Sequence, residues 1–470
     1  MTPSDLPPLD RAAAEPYYRQ IYHRFRSAIA SGLLKPGDRI PSARALTREL
    51  GLARGTIDAA YALLAAEGYV SARGQAGTIV TPGLEPRLPA AAPLPAATAA
   101  SKPSYRADSI LPFQMGLPAL DAFPRKIWAR LGARCARAMQ PSDMAHPSVL
   151  GLPALRAEIA AYLHMSRGIA CSPSQVFVTS GYRHTMQLIC QALLKAGDRV
   201  WVEDPGYPPT RDLLRHLQID AVPVPVDGEG MVVAEALARA PDARASVVTP
   251  AHQSPLCVTL SLPRRLALLD WAARNEAWIV EDDYDGEYRY VSRPLPALKS
   301  LDQGDRVLYA GTFSKVLFPG LRLAYLVVPE AQVACFEQVT QAFAGSPQLT
   351  QAIVTSFITE GHFARHIQRM RKLYAQRRSA TIAGLEKVLG DQVRIDSPPG
   401  GMHLILRLQA PQSDRLLAAR MREQGMYGEA LNNLTSSPDG AGAVLLNFTN
   451  IDSQEMAEAL GRRIRALLET

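Results

Sequence analysis

Lys315 closes the run Gly311-Thr312-Phe313-Ser314-Lys315, and Arg322 stands seven residues on. A lysine after an apolar stretch is ordinarily solvated. Where burial or cationic neighbours lower its pKa, its neutral amine becomes a nucleophile toward carbonyl groups. Upstream, Glu281-Asp282-Asp283-Tyr284-Asp285 puts four carboxylates into five positions behind the apolar Trp278–Val280. Such a group is costly at the end of a buried strand unless a cation or donor partners it. A protonated ring nitrogen facing Asp282, with Tyr284 as a donor beside it, is one solution. A metal ion is the other, and no histidine near in sequence supports it. Gly181-Tyr182-Arg183 follow an apolar run and begin a helical one, where free amides and the helix dipole suit a phosphate. Tyr207, in Glu203-Asp204-Pro205-Gly206-Tyr207-Pro208, offers a ring to stack on a flat ligand; by itself it is an ordinary aromatic lid. Thr312 and Arg322 could bond the same phosphate.

A second set of residues has different chemistry. Arg44, Arg54, Gly55 and Thr56 stand at the starts of two short helical stretches, and Arg73-Gly74-Gln75 lies between two strand-like ones. Arginine can donate a fork to guanine, threonine can meet a phosphate or a thymine methyl, and a basic, flexible tip suits a minor groove. Surface residues of a small protein-interaction domain are the plain alternative.

The elements that must carry these residues follow from periodicity. Ile21, Phe25 and Ile29 recur every four residues before Gly32, a helix of the head. Helices are predicted over 42–50, stopped by Gly51, and over 54–67, with Ile57, Tyr61 and Leu64 on one face. Strands follow at Tyr69–Ala72 and Thr78–Thr81. Three helices and a hairpin make a winged helix-turn-helix over residues 1–82. Residues 83–109 are dominated by Ala and Pro without period and read as an extended linker. The body, 110–470, alternates helical segments with strand-like runs at Val176–Thr179, Arg199–Glu203, Ser246–Thr249, Trp278–Glu281, Val307–Tyr309 and Leu323–Val328. That alternation predicts an α/β domain with a mainly parallel sheet.

Bulk properties narrow the setting. A chain of 470 residues exceeds one core. The net charge of +7 permits nucleic acid as a partner, but residues 1–80 hold ten Lys/Arg against seven Asp/Glu, so fold rather than charge carries the DNA reading. Five scattered cysteines without a C-x-x-C argue against disulfides and a zinc site, and for a reducing compartment. With no long apolar run, a cytoplasmic location without membrane contact is expected.

The segment from Pro16 to Val80, with LKPGDRIPSARALTRELGL and AEGY…GTIV, resembles the head of GntR-type bacterial regulators. The body, through EDPGYP, VTPAHQSP, EDDYDGEYRY and GTFSKVLFPGLRL, is similar to fold-type I aminotransferases and more narrowly to the MocR subfamily of GntR regulators. The resemblance implies a multidomain protein: an N-terminal winged helix-turn-helix plus an α/β pyridoxal 5′-phosphate (PLP)-dependent fold-type I aminotransferase-like body. It implies PLP held by Lys315, Asp282, Tyr284, Tyr207, Gly181, Tyr182, Arg183, Thr312 and Arg322. It implies double-stranded DNA with repeated half-sites at Arg44, Arg54, Gly55, Thr56 and Arg73–Gln75. It also implies a head-to-tail homodimer, with PLP or an amine as small-molecule effector.

Departures from the aminotransferase pattern bear on function. Leu445, in Val444-Leu445-Leu446-Asn447-Phe448, stands where those enzymes place the arginine that forks onto a substrate carboxylate. Ser254-Pro255-Leu256-Cys257 replaces Asn-Pro-x-Gly, His146 stands where tyrosine is frequent, and Pro209 stands where GABA-sensing members carry arginine. A regulator with vestigial activity is therefore expected, and GABA is disfavoured as effector. An active aminotransferase that regulates its own operon is the alternative, and a cofactor-free dimerisation scaffold is a third. His362 and His366 have helical spacing for a metal but lack the glutamate of H-E-x-x-H, so no metal is expected.

Overall fold

The computed structural model describes residues 8–11, 15–74, 77–83, 110–290, 296–397, 400–409, 412–436 and 442–469. The 84–109 part of the expected linker lies outside them, as does Gln75. The chain divides into two units, Met1–Asp108 and Ser109–Thr470.

In the first unit, helices α1 (Tyr17–Ala30), α2 (Ala43–Leu50) and α3 (Arg54–Ala66) precede strands β1 (Val70–Ala72) and β2 (Thr78–Val80). Ser42 starts α2 by accepting the Ala45 N–H, and Gly51 ends it at φ 66°, a left-handed conformation that glycine takes without strain. Ile21, Phe25, Leu46, Ile57, Ala60, Leu64 and Val80 close one core. The apolar faces predicted from spacing are the buried ones. β1 and β2 pair antiparallel, Val70 opposite Val80, and Arg39 bridges to Ile79 on the far side of β2.

The second unit holds an eight-stranded sheet of β3 (Val176–Thr179), β4 (Arg199–Asp204), β5 (Asp220–Asp227), β6 (Gly230–Met231), β7 (Ala245–Val248), β8 (Trp278–Asp283), β9 (Val307–Thr312) and β10 (Ala324–Val327). Their order is β3-β10-β9-β8-β7-β4-β5-β6. The pairs among β5, β4, β7, β8 and β9 are parallel, while β10 and β6 run antiparallel to their neighbours. All six expected strands are present. β5, unforeseen, carries Pro223 and Pro225. It tolerates them because only Val226 and Asp227 pair with β6, so the missing donors cost the ladder little.

A smaller antiparallel sheet, also unforeseen, orders β11 (Val393–Asp396), β12 (His403–Leu408), β13 (Glu429–Ala430) and β14 (Ala443–Asn447) as β11-β12-β14-β13. Apolar runs such as His403–Leu408 do not distinguish a strand from a buried helix turn by period. The helix His362–Leu389 packs against the helix Gln454–Leu468. Its basic residues are spent within the body: Arg371 donates to Glu287 O, Arg377 to Asp121, and Arg378 to Ser397 O. No helix among the described residues is long and apolar enough to cross a membrane.

Candidate functional site

The carboxyl ends of β8 and β9, the loop after β3 and the small sheet surround a cavity of about 560 Å³. Gly181, Tyr182, Arg183, Tyr207, Asp282, Tyr284, Thr312, Lys315 and Arg322 all line it. The nine body residues named from sequence for the cofactor therefore all reach one space, although 141 positions separate the first from the last in sequence.

Lys315 Nζ donates to Gly116 O at 3.0 Å. Gly116 sits at φ 79°, a left-handed conformation that favours glycine, and a Cβ there would lie 2.7 Å from the lysine nitrogen and displace it. Burial lowers the lysine pKa, against the pull of Asp285 and Asp282. That raises its neutral, nucleophilic fraction.

The four carboxylates of β8 and its exit divide their partners unequally. Glu281 accepts the Leu298 and Lys299 amides at 2.8 Å each. Asp283 accepts from Arg167 at 2.6 Å and from Tyr309 Oη at 2.5 Å. Burial pushes Asp283 up, but these two partners hold it below its ordinary value. Asp285 meets His252 Nδ1 at 3.0 Å. Asp282 alone of the four has no ion-pair or hydrogen-bond partner among the described residues. Strand alternation turns it toward the cavity and Asp283 toward Arg167. Burial, reinforced by Asp283, Glu203 and Asp285, pushes its carboxyl well above the usual range. Beside it, burial raises the Tyr284 phenol and keeps it a donor; its Oη lies 3.1 Å from His252 Nδ1.

At the opposite wall, Gly181 takes φ 122° before the helix Tyr182–Leu193, and the Arg322 guanidinium packs against it. Neither Arg183 nor Arg322 pairs with an acid among the described residues. Two such guanidiniums, one in the first turn of that helix and one packed against its start, form an arrangement suited to an anion. Tyr207 is 49% exposed and stands edge-on to Tyr182, centroids 5.4 Å apart, at the mouth.

Sequence reasoning missed Gly116, Met115, His403, Tyr427, Glu429 and Asn433, which also line the cavity. They come from a segment before β3 and from the small sheet, and no local motif marks them. It also missed the histidine beside the acidic run: His252 is folded onto Asp285 from the loop after β7. Among the described residues no group of three or more metal-ligating side chains converges. His366 Nε2 instead meets Val316 O at 2.9 Å, and burial lowers its pKa to about 4. Cys257 takes φ 61°, strained for a side chain, where a Pro-x-Gly segment would place glycine. Its thiol lies 3.1 Å from His403 Nε2, and burial is outweighed by His403 and His252, which bring its pKa to about 6.

In the head, Arg44, Arg54 and Gly55 are exposed and Thr56 half-buried at the starts of α2 and α3. Arg54 Nε lies 3.5 Å from Asp58, a solvated i,i+4 pair. Arg73 and Gly74 are exposed at the hairpin tip, with the Arg73 amide closing on Gly77 O at 2.9 Å.

Residues 17–80 match the bacterial regulatory proteins of the gntR family, and residues 119–462 match aminotransferase class I and II. The "probable rhizopine catabolism regulatory protein MocR" of Rhizobium meliloti is 36% identical over 98% of this chain and 95% of its own length. The chain belongs to the MocR-type regulators of the GntR family. The pyridoxine biosynthesis regulator PdxR of Corynebacterium glutamicum is 33% identical over 93% of both chains. Among solved structures, the kynurenine aminotransferase of Pyrococcus horikoshii superposes with a TM-score of 0.69 at 26% identity. It covers 77% of this chain and 91% of its own. Likeness to regulators runs nearly the whole length, and likeness to that enzyme stops short of the head. A MocR-type chain is a transcriptional regulator with a DNA-binding head and an aminotransferase-like body.

Proposed function

We propose that this regulator binds PLP in the cavity around Lys315 and couples the state of that cavity to DNA binding by the head. The observation that carries the reading is the single unpartnered carboxylate, Asp282, facing the same cavity as a depressed-pKa lysine. A protonated pyridine nitrogen is the partner that such a buried carboxylate lacks. Arg183, Arg322, Thr312 and the Gly181–Tyr182 amides would hold the phosphate, Tyr207 would cover the ring, and Tyr284 would donate to the ring oxygen. PLP supplies an aldehyde that condenses reversibly with amines. What the chain adds is a cavity, a lysine to hold that aldehyde, and a positioned anion site.

The head comprises residues 1–82 and the body 110–470, joined by the Ala/Pro-rich 83–109. Arg44, Arg54, Gly55, Thr56 and the tip Arg73–Gln75 are the DNA contacts, and two copies of the chain present two heads to repeated half-sites in the cytoplasm. Binding of an amine beside the cofactor shifts a two-state body, which changes how the heads engage.

Purified protein given PLP is expected to show a visible absorbance band that Lys315→Ala abolishes. An identical band in the variant overturns the cofactor assignment. Repeated turnover on mixing with an amino acid and a keto acid would favour an active aminotransferase instead.

A further inference from the structure

The cavity lining holds two chemically unlike groups of residues, and the group outside the phosphate cradle points to a ligand class. Lys315, Arg183 and Arg322 supply its lysine and arginine charge, the latter two beside Gly181. Met115, Met402, Tyr427, Glu429, Asn433 and Leu445 also line it. No arginine or lysine is among them. The β13–β14 register sets Glu429 directly beside Leu445, so an acid and an apolar residue are neighbours there.

The Glu429 carboxylate is held in place by three donors, two of them from the cavity lining. Tyr427 Oη donates to Oε2 at 2.9 Å and Asn433 Nδ2 to Oε1 at 3.1 Å. Arg422 ion-pairs with and donates to Oε2 at 3.4 Å, from a 43% exposed position that is no part of the cavity lining. Oε1 keeps acceptor capacity for a further donor. His403, the remaining titratable group here, donates Nε2 to Pro255 O at 2.9 Å and faces the Cys257 thiol. Its charge is therefore matched locally. A ligand carboxylate beside Glu429 would meet an acid, with no arginine or lysine among these lining residues to pair with it, which disfavours it.

Resting on the PLP reading above, we propose that the effector is an aliphatic diamine without a carboxylate. One nitrogen lies at Lys315, the methylenes pack on Met115, Met402 and Leu445, and the second, cationic nitrogen is bound by Glu429.

The test uses the full-length, PLP-loaded protein and three probes: putrescine, butylamine and norvaline. Butylamine lacks the second nitrogen, and norvaline is butylamine carrying a carboxylate on the amine carbon. The readouts are perturbation of the visible band and change in affinity for the protein's own upstream promoter DNA. Putrescine is expected to act at a concentration at least ~10-fold below both others, the scale of one charge-assisted hydrogen bond. Glu429→Gln, which keeps the side-chain shape, should remove that advantage and leave putrescine and butylamine within about twofold of each other. A norvaline response equal to or stronger than that of putrescine overturns the proposal, as does a putrescine preference that survives Glu429→Gln. Failure of the cofactor reading has a separate signature: no band sensitive to Lys315→Ala, before any amine is added.

Discussion

The side chains proposed to contact DNA in the head and those around the proposed cofactor cavity in the body stand in opposite environments. In the head, Arg44, Arg54 and Arg73 are exposed on a frame whose core, Ile21 through Val80, does not use them. In the body, Asp282, Asp283, Glu287 and Arg167 are all buried within the sheet and its flanking helix. An exposed contact residue can be exchanged with little effect on folding. A buried charge is tied to stability, since removing one partner strands the other. Specificity in the head can therefore drift cheaply, whereas the body site is held by its own electrostatics.

The largest expected effect tests the body half of that contrast. Arg167 donates to Asp283 at 2.6 Å and reaches Glu287 at 3.0 Å. Arg167→Ala should cost the body about 3–5 kcal/mol by leaving two buried acids unpaired. Urea unfolding followed by tryptophan fluorescence measures this cleanly, because all four tryptophans, Trp128, Trp201, Trp271 and Trp278, lie in the body. A loss below about 1 kcal/mol would place the network among weak surface pairs.

Next comes pH. Burial raises Glu203 and Glu281 from 4.5 to about 7. The folded body then binds more protons than the unfolded chain between those values, so stability falls as pH rises from about 4.5 through 7. Each carboxylate contributes on the order of 3 kcal/mol to that fall. Glu203→Gln should flatten part of the slope in the same fluorescence assay; an unchanged slope assigns the fall to other groups.

A smaller effect belongs to the head. Arg54→Ala should weaken binding to the upstream promoter by about 1–3 kcal/mol, roughly 5–150-fold. Body unfolding should stay as in the parent. Unchanged DNA affinity would mean that α3 is not the reading helix. The smallest is Ser42→Ala, which removes the cap on the Ala45 amide and should cost the head about 1 kcal/mol. Circular dichroism of the full chain, set beside the tryptophan signal, separates that loss from the body transition. Coincident shifts in both signals would contradict independent stability of the two units.

Much of this was legible beforehand, for a stated reason. Ser42, Gly51, Ile57 and Leu64 act within a turn or two of their own neighbours, so caps and spacing reveal α2 and α3 directly. β8 and β9 end in Glu281–Asp285 and Gly311–Lys315, whose polar density after apolar strands marks a site without any fold in view. β5 escaped because its prolines speak against a strand, and only its place near the sheet edge makes them harmless. β12 and β14 escaped because their short, mostly apolar runs do not tell a strand from a buried helix turn by period. Gly116 and His252 escaped because nothing beside them in sequence needs them; the atoms they serve lie elsewhere in the chain.

The sequence by itself determined that a helix-turn-helix head precedes an α/β body and that Lys315 and Asp282 stand at strand ends. Those facts rest on local propensity and spacing. Only the tertiary structure decided which carboxylate is left free. Arg167, 116 positions before Asp283, claims that residue, His252 claims Asp285, and two amides claim Glu281. Asp282 remains because the pleat of β8 turns it the other way, into the cavity that Gly116 leaves open for Lys315. Electrostatic partnership depends on distance in space, and that distance exists only once the chain has folded.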